Sequence, residues 1–273
     1  QYHRIEEDID IMKELSMNAY RFSLSWPRIM PEGNGQVNEK GLDFYDRMVD
    51  SLLERGITPY ITLFHWDLPY ELYLKGGWLN PDMPEWFAEY TLAVMNRLSD
   101  RVDHWITQNE PQCYIGSGMA SGIHAPGLKM NKKDCLQAAH NSLLAHGRSI
   151  QAIRAEARKT PVIGYAPAAW WLWSPVSDDP ADIEACRKQT FCADEDQVGG
   201  SAWWMDPVFL GKYPESAVKI VEEYMPRIGQ GDMKLISQPV DFLGINVYQT
   251  YLGKAAEDGS CITVDHKPGC ATY

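Results

Sequence analysis

Apolar residues recur along the chain in two alternating rhythms, one helical and one extended. Ile5, Ile9, Met12 and Leu15 fall on one face of a helix from about Ile5 to Leu15. Asn18–Trp26 (NAYRFSLSW) then reads as a strand. A loop carrying Pro27, Pro31, Gly33 and Gly35 separates it from a second helix. There Leu42, Tyr45, Val49, Leu52 and Leu53 keep helical spacing, and Gly56 closes the C-terminal end. Thr58–Trp66 (TPYITLFHW) is the next strand. Past Gly76, Gly77 and Trp78, a third helix starts near Pro84 and turns Trp86, Phe87, Tyr90 and Leu98 inward. The strand Val102–Thr107 ends at Gln108-Asn109-Glu110-Pro111. A helix over Lys133–Glu156 leads to the strand Pro161–Pro167, and a long irregular and helical stretch leads to a fifth strand, Val240–Tyr248.

Alternation of helices with nearly continuous apolar strands predicts an α/β fold, a parallel sheet covered by helices. No composition shift marks a linker, so residues 1–273 read as a single domain. Doubly wound and barrel folds both fit this order. The barrel is favoured by where the unusual polar residues fall. Arg21, His65, Asn109, Glu110, Asn246 and Tyr248 each lie within or at the C-terminal end of an expected strand, and in a (β/α)8 TIM barrel those ends meet at the active-site mouth. Five strands are visible where eight close a barrel. The expectation is therefore an incomplete barrel, about strands two to six.

The chain has a net charge of −12, which disfavours phosphate backbones and anionic lipid surfaces as partners. No apolar run is long enough to span a membrane, and no secretory leader pattern opens the chain, which begins at Gln1. The 6 cysteines lack paired metal-knuckle spacing. Reduced thiols in a cytoplasmic protein are the expectation, with a Cys186–Cys192 or Cys261–Cys270 bridge left open. His140 and His146 stand six apart, not the four that would put two metal ligands on one helical face. The 10 Trp and 14 Tyr suit stacking on sugar rings, but without motifs they read first as core residues.

Asn109-Glu110-Pro111 is by itself a turn after a strand, since Pro111 cannot continue the ladder. Its company changes its meaning. The chain carries Tyr2-His3-Arg4 with Glu7-Asp8-Ile9, then Asn18-Ala19-Tyr20-Arg21-Phe22-Ser23-Leu24-Ser25-Trp26-Pro27-Arg28. Gly41-Leu42-Asp43-Phe44-Tyr45-Asp46, His65-Trp66-Asp67-Leu68-Pro69 and Gly76-Gly77-Trp78 follow. Then come Thr107-Gln108-Asn109-Glu110-Pro111, Gly122-Ile123-His124-Ala125-Pro126-Gly127, Asp206-Pro207 and Gly211-Lys212-Tyr213-Pro214. The last is Asp241-Phe242-Leu243-Gly244-Ile245-Asn246-Val247-Tyr248. In this order, over nearly the whole chain, these runs resemble glycoside hydrolase family 1, the β-glucosidase family.

The resemblance implies a retaining β-glycosidase acting on a β-glucoside or oligosaccharide, with no cofactor and no metal. It gives Glu110 the role of general acid/base, a carboxyl group that protonates the leaving oxygen and then deprotonates water. Asn109 would bind the sugar 2-hydroxyl, and His65 and Trp66 the other hydroxyls of the same ring. Taken alone, His65 reads first as a core histidine bonded to a backbone carbonyl, and the Trp66-Asp67-Leu68-Pro69 that follows it at a strand end shifts the reading to the sugar contact. Arg21, in an apolar strand, needs an anionic or hydrogen-bonding partner. In the family the matching arginine and the tyrosine matching Tyr248 attend the nucleophile carboxylate, and the asparagine matching Asn246 lies near the acid/base.

Two departures stand out. No Glu-Asn-Gly occurs, although the family's nucleophile lies in such a motif. The resemblance thus implies that the nucleophile, the opening strand and the last two strands lie outside these residues. Gln112 stands where the family often has tryptophan, which bears on aglycone contacts. The alternative to an enzyme is a catalytically inactive truncated or split fragment, or a sugar-binding remnant. Its open sheet would expose apolar surface and unpaired edges, to be covered by a complementary chain or a homo-oligomer.

Overall fold

The computed structural model describes residues 2–169, 171–192 and 200–265. Eight strands follow in chain order: β1 (Ala19–Ser23), β2 (Thr58–Phe64), β3 (His104–Asn109), β4 (Val162–Ala166), β5 (Trp173–Pro175), β6 (Phe242–Leu243), β7 (Tyr251–Ala255) and β8 (Cys261–Val264). They divide between two compact units. The first holds Gln1–Asn109, Gln137–Ala166 and Ile228–Gly244; the second holds Glu110–Leu136, Pro167–Arg227 and the chain from Ile245 on.

The first unit contains a five-stranded parallel sheet in the order β1-β2-β3-β4-β6. The register runs through Ala19↔Thr58, Tyr60↔His104, Trp105↔Ile163 and Gly164↔Phe242. Between β3 and β4 it slips, so that Ile106 faces Gly164 but Asn109 faces Ala166. Three steps on β3 are thus matched by two on β4, a bulge just before the strand ends.

The helices follow their apolar faces. Helix Glu39–Glu54 buries Leu42, Tyr45, Val49 and Leu52, while Leu53, a further 100° round, stays 38% exposed. Gly56, at φ 72°, supplies the left-handed turn that ends it. Helix Met83–Leu98 buries Phe87, Tyr90 and Leu98, with Trp86 only half-buried. Helix Ile5–Glu14 buries Ile9 alone; Leu15 lies past its end and is 64% exposed.

Several expected boundaries shift for local reasons. Trp26 is not in a strand: Pro27 sits near the start of a short helix, Trp26–Ile29, as its fixed φ favours. This carries Trp26 into the core, stacked on Tyr90 at 5.1 Å, with its Nε1 donating to the Gly33 carbonyl at 2.9 Å. Strand β2 stops at Phe64, two residues before Trp66 takes φ 84°. Of Val240–Tyr248 only Phe242–Leu243 joins the sheet, and Leu243, Ile245 and Val247 are each over 40% exposed. In β1, Ala19 and Arg21 are exposed while Phe22 is buried. The continuous burial expected of all five strands therefore holds for β2, β3 and β4. Strands β1 and β6 pair on one side only among the described residues.

Polar residues inside β3 are paired with helix Lys132–Glu156. Thr107 Oγ1 lies 2.7 Å from His146 Nδ1, and Gln108 Nε2 donates to the Ser142 carbonyl at 2.9 Å.

The second unit has a three-stranded sheet that the strand pattern did not anticipate, because its strands are only three to five residues long. Strand β5 runs parallel to β7, and β8 antiparallel to it. Helix Pro180–Thr190 packs on it, opened by Asp179, whose side chain accepts from Ala181 N at 2.9 Å. No disulfide joins the five described cysteines; the Cys186–Cys192 bridge is not formed, and Cys270 lies outside the described residues. No described helix is long and apolar enough to cross a membrane.

Candidate active site

In the first unit, polar residues gather where β1, β2 and β3 end. Asn109, the last residue of β3, is 1% exposed and fully engaged. Its Oδ1 accepts from Arg21 Nη2 at 2.6 Å, and its backbone carbonyl accepts from Trp66 Nε1 at 2.9 Å. Because Oδ1 is the acceptor, Nδ2 is the donor, and it points at His65 Nε2, 3.2 Å away. His65 Nε2 must then be the bare ring nitrogen, which leaves the proton on Nδ1.

Arg21 Nε also donates to Thr62 Oγ1 at 3.0 Å. Thr62 and Asn109, both neutral acceptors, are thus among the partners of Arg21, which occupies an exposed position of β1. The burial expected of it is not found, since among the described residues β1 has one strand neighbour. Arg21 and His65 line a hollow of about 500 Å³ with Tyr20, Thr62 and Tyr45. Through Nε2, His65 meets the Asn109 amide side chain.

Glu110 follows Asn109 and opens the second unit. It is 3% exposed, and both carboxyl oxygens receive hydrogen bonds. Asn246 Nδ2 donates to Oε1 at 2.6 Å, and Cys113 Sγ donates to Oε2 at 3.2 Å. Burial, with the hydrogen bond to Glu110 and its charge adding, pushes the Cys113 thiol well above the usual thiol range. Cys113 is therefore a protonated donor near neutral pH.

Asn246 is fixed by the backbone around it. It bridges Ala168 in parallel, its N–H donating to the Pro167 carbonyl at 3.2 Å and its carbonyl accepting from Ala169 N at 3.0 Å. Ala168 is gripped in turn by Gln112, which donates from Nε2 to the Ala168 carbonyl at 3.0 Å and accepts from Ala168 N at 3.2 Å. Gln112 is thus a buried clamp rather than an open position for aglycone contact. Tyr248, two residues beyond Asn246, is 80% exposed and lines a hollow of about 280 Å³ with Ala169, Trp171, Gln249 and Tyr251.

The backbone at both strand ends is unusual. Glu110 has φ 45° and Trp66 φ 84°. For residues with bulky side chains the left-handed region costs about 1–3 kcal/mol, and a residue before proline is further restricted. Such outliers cluster at functional sites. Neither the strain nor the Cys113 and Gln112 contacts could be read from residue types. The signals available were the pre-proline position of Glu110 and polar residues at 112–113 directly after it.

Comparison with known proteins places these geometries in a family context. Residues 1–270 match the model of Glycosyl hydrolase family 1. A 1,4-beta-D-glucan glucohydrolase of Thermotoga neapolitana is 43% identical over 253 residues, 93% of this chain and 57% of the relative. Beta-glucosidase A of Acetivibrio thermocellus is 45% identical over 251 residues, 91% of this chain and 54% of the relative. The solved beta-glucosidase from Thermotoga maritima in complex with glucoimidazole superposes with a TM-score of 0.82 at 41% identity, over 97% of this chain and 58% of that one. The chain thus spans somewhat over half the length of these relatives.

Proposed function

This chain belongs to glycosyl hydrolase family 1, its parallel strands forming part of that family's (β/α)8 barrel, and on that premise we propose that it serves a retaining β-glycosidase acting on β-linked glucosides. The whole of residues 1–273 is assigned to a single glycosidase domain. The observation that carries the proposal is Glu110: a buried carboxyl group at the end of β3 with Asn246 and Cys113 each donating to one oxygen. Its relatives' names specify glucosides and glucans, and the complex with glucoimidazole is of a protein 41% identical.

In the proposed reaction a second carboxylate, supplied from outside these residues, attacks the anomeric carbon while Glu110 gives its proton to the departing glycosidic oxygen. Glu110 then takes a proton from the water that releases the sugar. Asn109 meets the 2-hydroxyl, while His65 and Trp66 meet other hydroxyls of the same ring. Arg21 and Tyr248 attend the second carboxylate, and Asn246 holds Glu110.

The test is Glu110→Gln in an enzyme of full family length. Substrates with poor leaving groups should slow by about 10²–10⁴-fold, and activated aryl glycosides much less in the first step. Equal losses on both would count against the acid/base role. Residues 1–273 alone should not turn over an aryl β-glucoside, since no Glu-Asn-Gly is present; appreciable turnover would overturn the external nucleophile.

A further inference from the structure

In the second unit, two cysteines 75 residues apart in the chain meet on one face of the small sheet. Cys186 lies on helix Pro180–Thr190, and Cys261 opens β8. Their sulfurs are 3.8 Å apart, at van der Waals contact. We propose that Cys186 and Cys261 form a reversible disulfide, a redox modification site that ties this helix to the edge of the three-stranded sheet.

The sequence builds the meeting place. Strand β7 pairs antiparallel with β8 in the register Gly253↔Thr263 and Ala255↔Cys261. Side chains alternate across a strand, so Gly253, Ala255, Cys261 and Thr263 share one face. Helix Pro180–Thr190 turns Ala185 and Cys186 into the interior. Gly253 is required there: a Cβ on it would stand 2.5 Å from Cys186 Sγ and 2.6 Å from Cys261 Sγ. The two sulfurs converge on the space its missing side chain leaves.

The helix is also held from its other end. Asp182 Oδ1 accepts from Ala255 N at 2.7 Å, and Asp182 Oδ2 accepts from Ser177 Oγ at 2.6 Å. That anchor lies one helical turn before Cys186 and on the strand facing Cys261. A disulfide sulfur pair stands at about 2.05 Å, so closing the bond asks for side-chain rotation and a small shift of β8, which pairs with β7 alone among the described residues.

Cys186 is 1% exposed, while Cys261 is half-buried and is the sulfur an oxidant reaches first. With a low-molecular-weight disulfide such as glutathione disulfide, the Cys261 thiolate attacks one sulfur and expels one glutathione thiolate, leaving a mixed disulfide. The Cys186 thiolate then attacks the Cys261 sulfur and expels the second. Two protein thiols lose two electrons and two protons, and one glutathione disulfide becomes two glutathione thiols. Burial, with Cys261 beside it, pushes the Cys186 thiol above its ordinary range, so the second step quickens as pH rises.

The experiment uses the full chain, reduced, exchanged into glutathione disulfide, alkylated, and digested without reductant. A cross-linked peptide pair carrying Cys186 and Cys261, with an intact mass lower by about 2 Da and reversed by dithiothreitol, supports the proposal. In Cys186→Ser the glutathione adduct on Cys261 should persist instead of resolving. Both cysteines remaining open to alkylation after oxidation, or a bridge of Cys186 to Cys192 or of Cys261 to Cys270, would overturn it. Because the wild-type digest decides the pairing, a variant that fails to fold leaves the test intact.

Discussion

Cys113 donates its thiol hydrogen to Glu110 Oε2 at 3.2 Å from only three residues along the chain, where its own N–H also bonds the Glu110 carbonyl at 2.8 Å. One residue thus holds both the backbone carbonyl and one carboxyl oxygen of Glu110, while Asn246 holds the other oxygen. Two donors, one on each oxygen, fix the orientation of the carboxyl group.

Removing the thiol should leave the Glu110 carboxyl group less firmly placed. In a full-length enzyme, Cys113→Ala is expected to lower kcat on substrates with poor leaving groups by about 3- to 10-fold, the worth of one hydrogen bond, with KM little changed. Cys113→Ser, which restores a donor, should recover most of that loss. Steady-state kinetics of both variants check this, and an unchanged kcat in both would assign Cys113 to packing alone.

Gln112 makes a different kind of prediction, one about stability. Its amide bonds both the N–H and the carbonyl of Ala168, and Ala168 bridges to Asn246, which in turn holds Glu110. Gln112→Leu fills similar volume but leaves two buried backbone groups without these partners. The cost should be about 2–5 kcal/mol, read as a lower urea midpoint with an unchanged slope. In the full-length enzyme the same change should lower kcat more than it raises KM, because it loosens Asn246 and not the sugar contacts.

The parallel sheet was legible because β2, β3 and β4 are apolar runs between amphipathic helices, and that pattern needs no tertiary knowledge. What was hidden depends on contacts across the chain. Arg21 looked buried in NAYRFSLSW, yet the exposed side of β1 carries it, and the strand's own sequence does not record how many neighbours it has. The site's motif positions were legible as an ordered set of short runs. The grip on Glu110 was not, since Cys113 and Gln112 are unremarkable residues until the π-helical turn after Pro111 aims them. The sheet of β5, β7 and β8 was missed because strands of three to five residues carry too few alternations to register as a period.

Trp26 tests the core that supports the strand ends. It is fully buried, stacked on Tyr90, with Phe87 and Phe64 against it. Trp26→Ala should cost about 3–5 kcal/mol, a large share of what a domain of this kind commands. Trp26→Phe should cost much less of the apolar contact but lose the bond to the Gly33 carbonyl. Equilibrium unfolding of the two variants separates packing from hydrogen bonding, and similar losses in both would place most of the effect on Nε1.

His146 gives the fold a pH dependence with a definite sign. The ring is fully buried, with Nδ1 2.7 Å from Thr107 Oγ1 and the Tyr165 ring 4.7 Å away. Burial lowers its pKa from 6.5 to about 3. Well above pH 6.5 neither the folded nor the unfolded chain protonates this residue, so its contribution there is flat. Between 6.5 and about 3 the unfolded chain takes up a proton that the folded chain refuses, and stability falls as pH falls, by about 1.4 kcal/mol per unit at most. From pH 7 to pH 5 the wild type should therefore lose about 2 kcal/mol more than His146→Gln, whose side chain does not titrate. Denaturant unfolding of both proteins at the two pH values measures the difference. His140, whose pKa burial also lowers against the opposing charge of Asp232, is common to both proteins and cancels. Equal pH dependence in the two would mean that the folded chain accepts a proton at His146 as readily as the unfolded chain does.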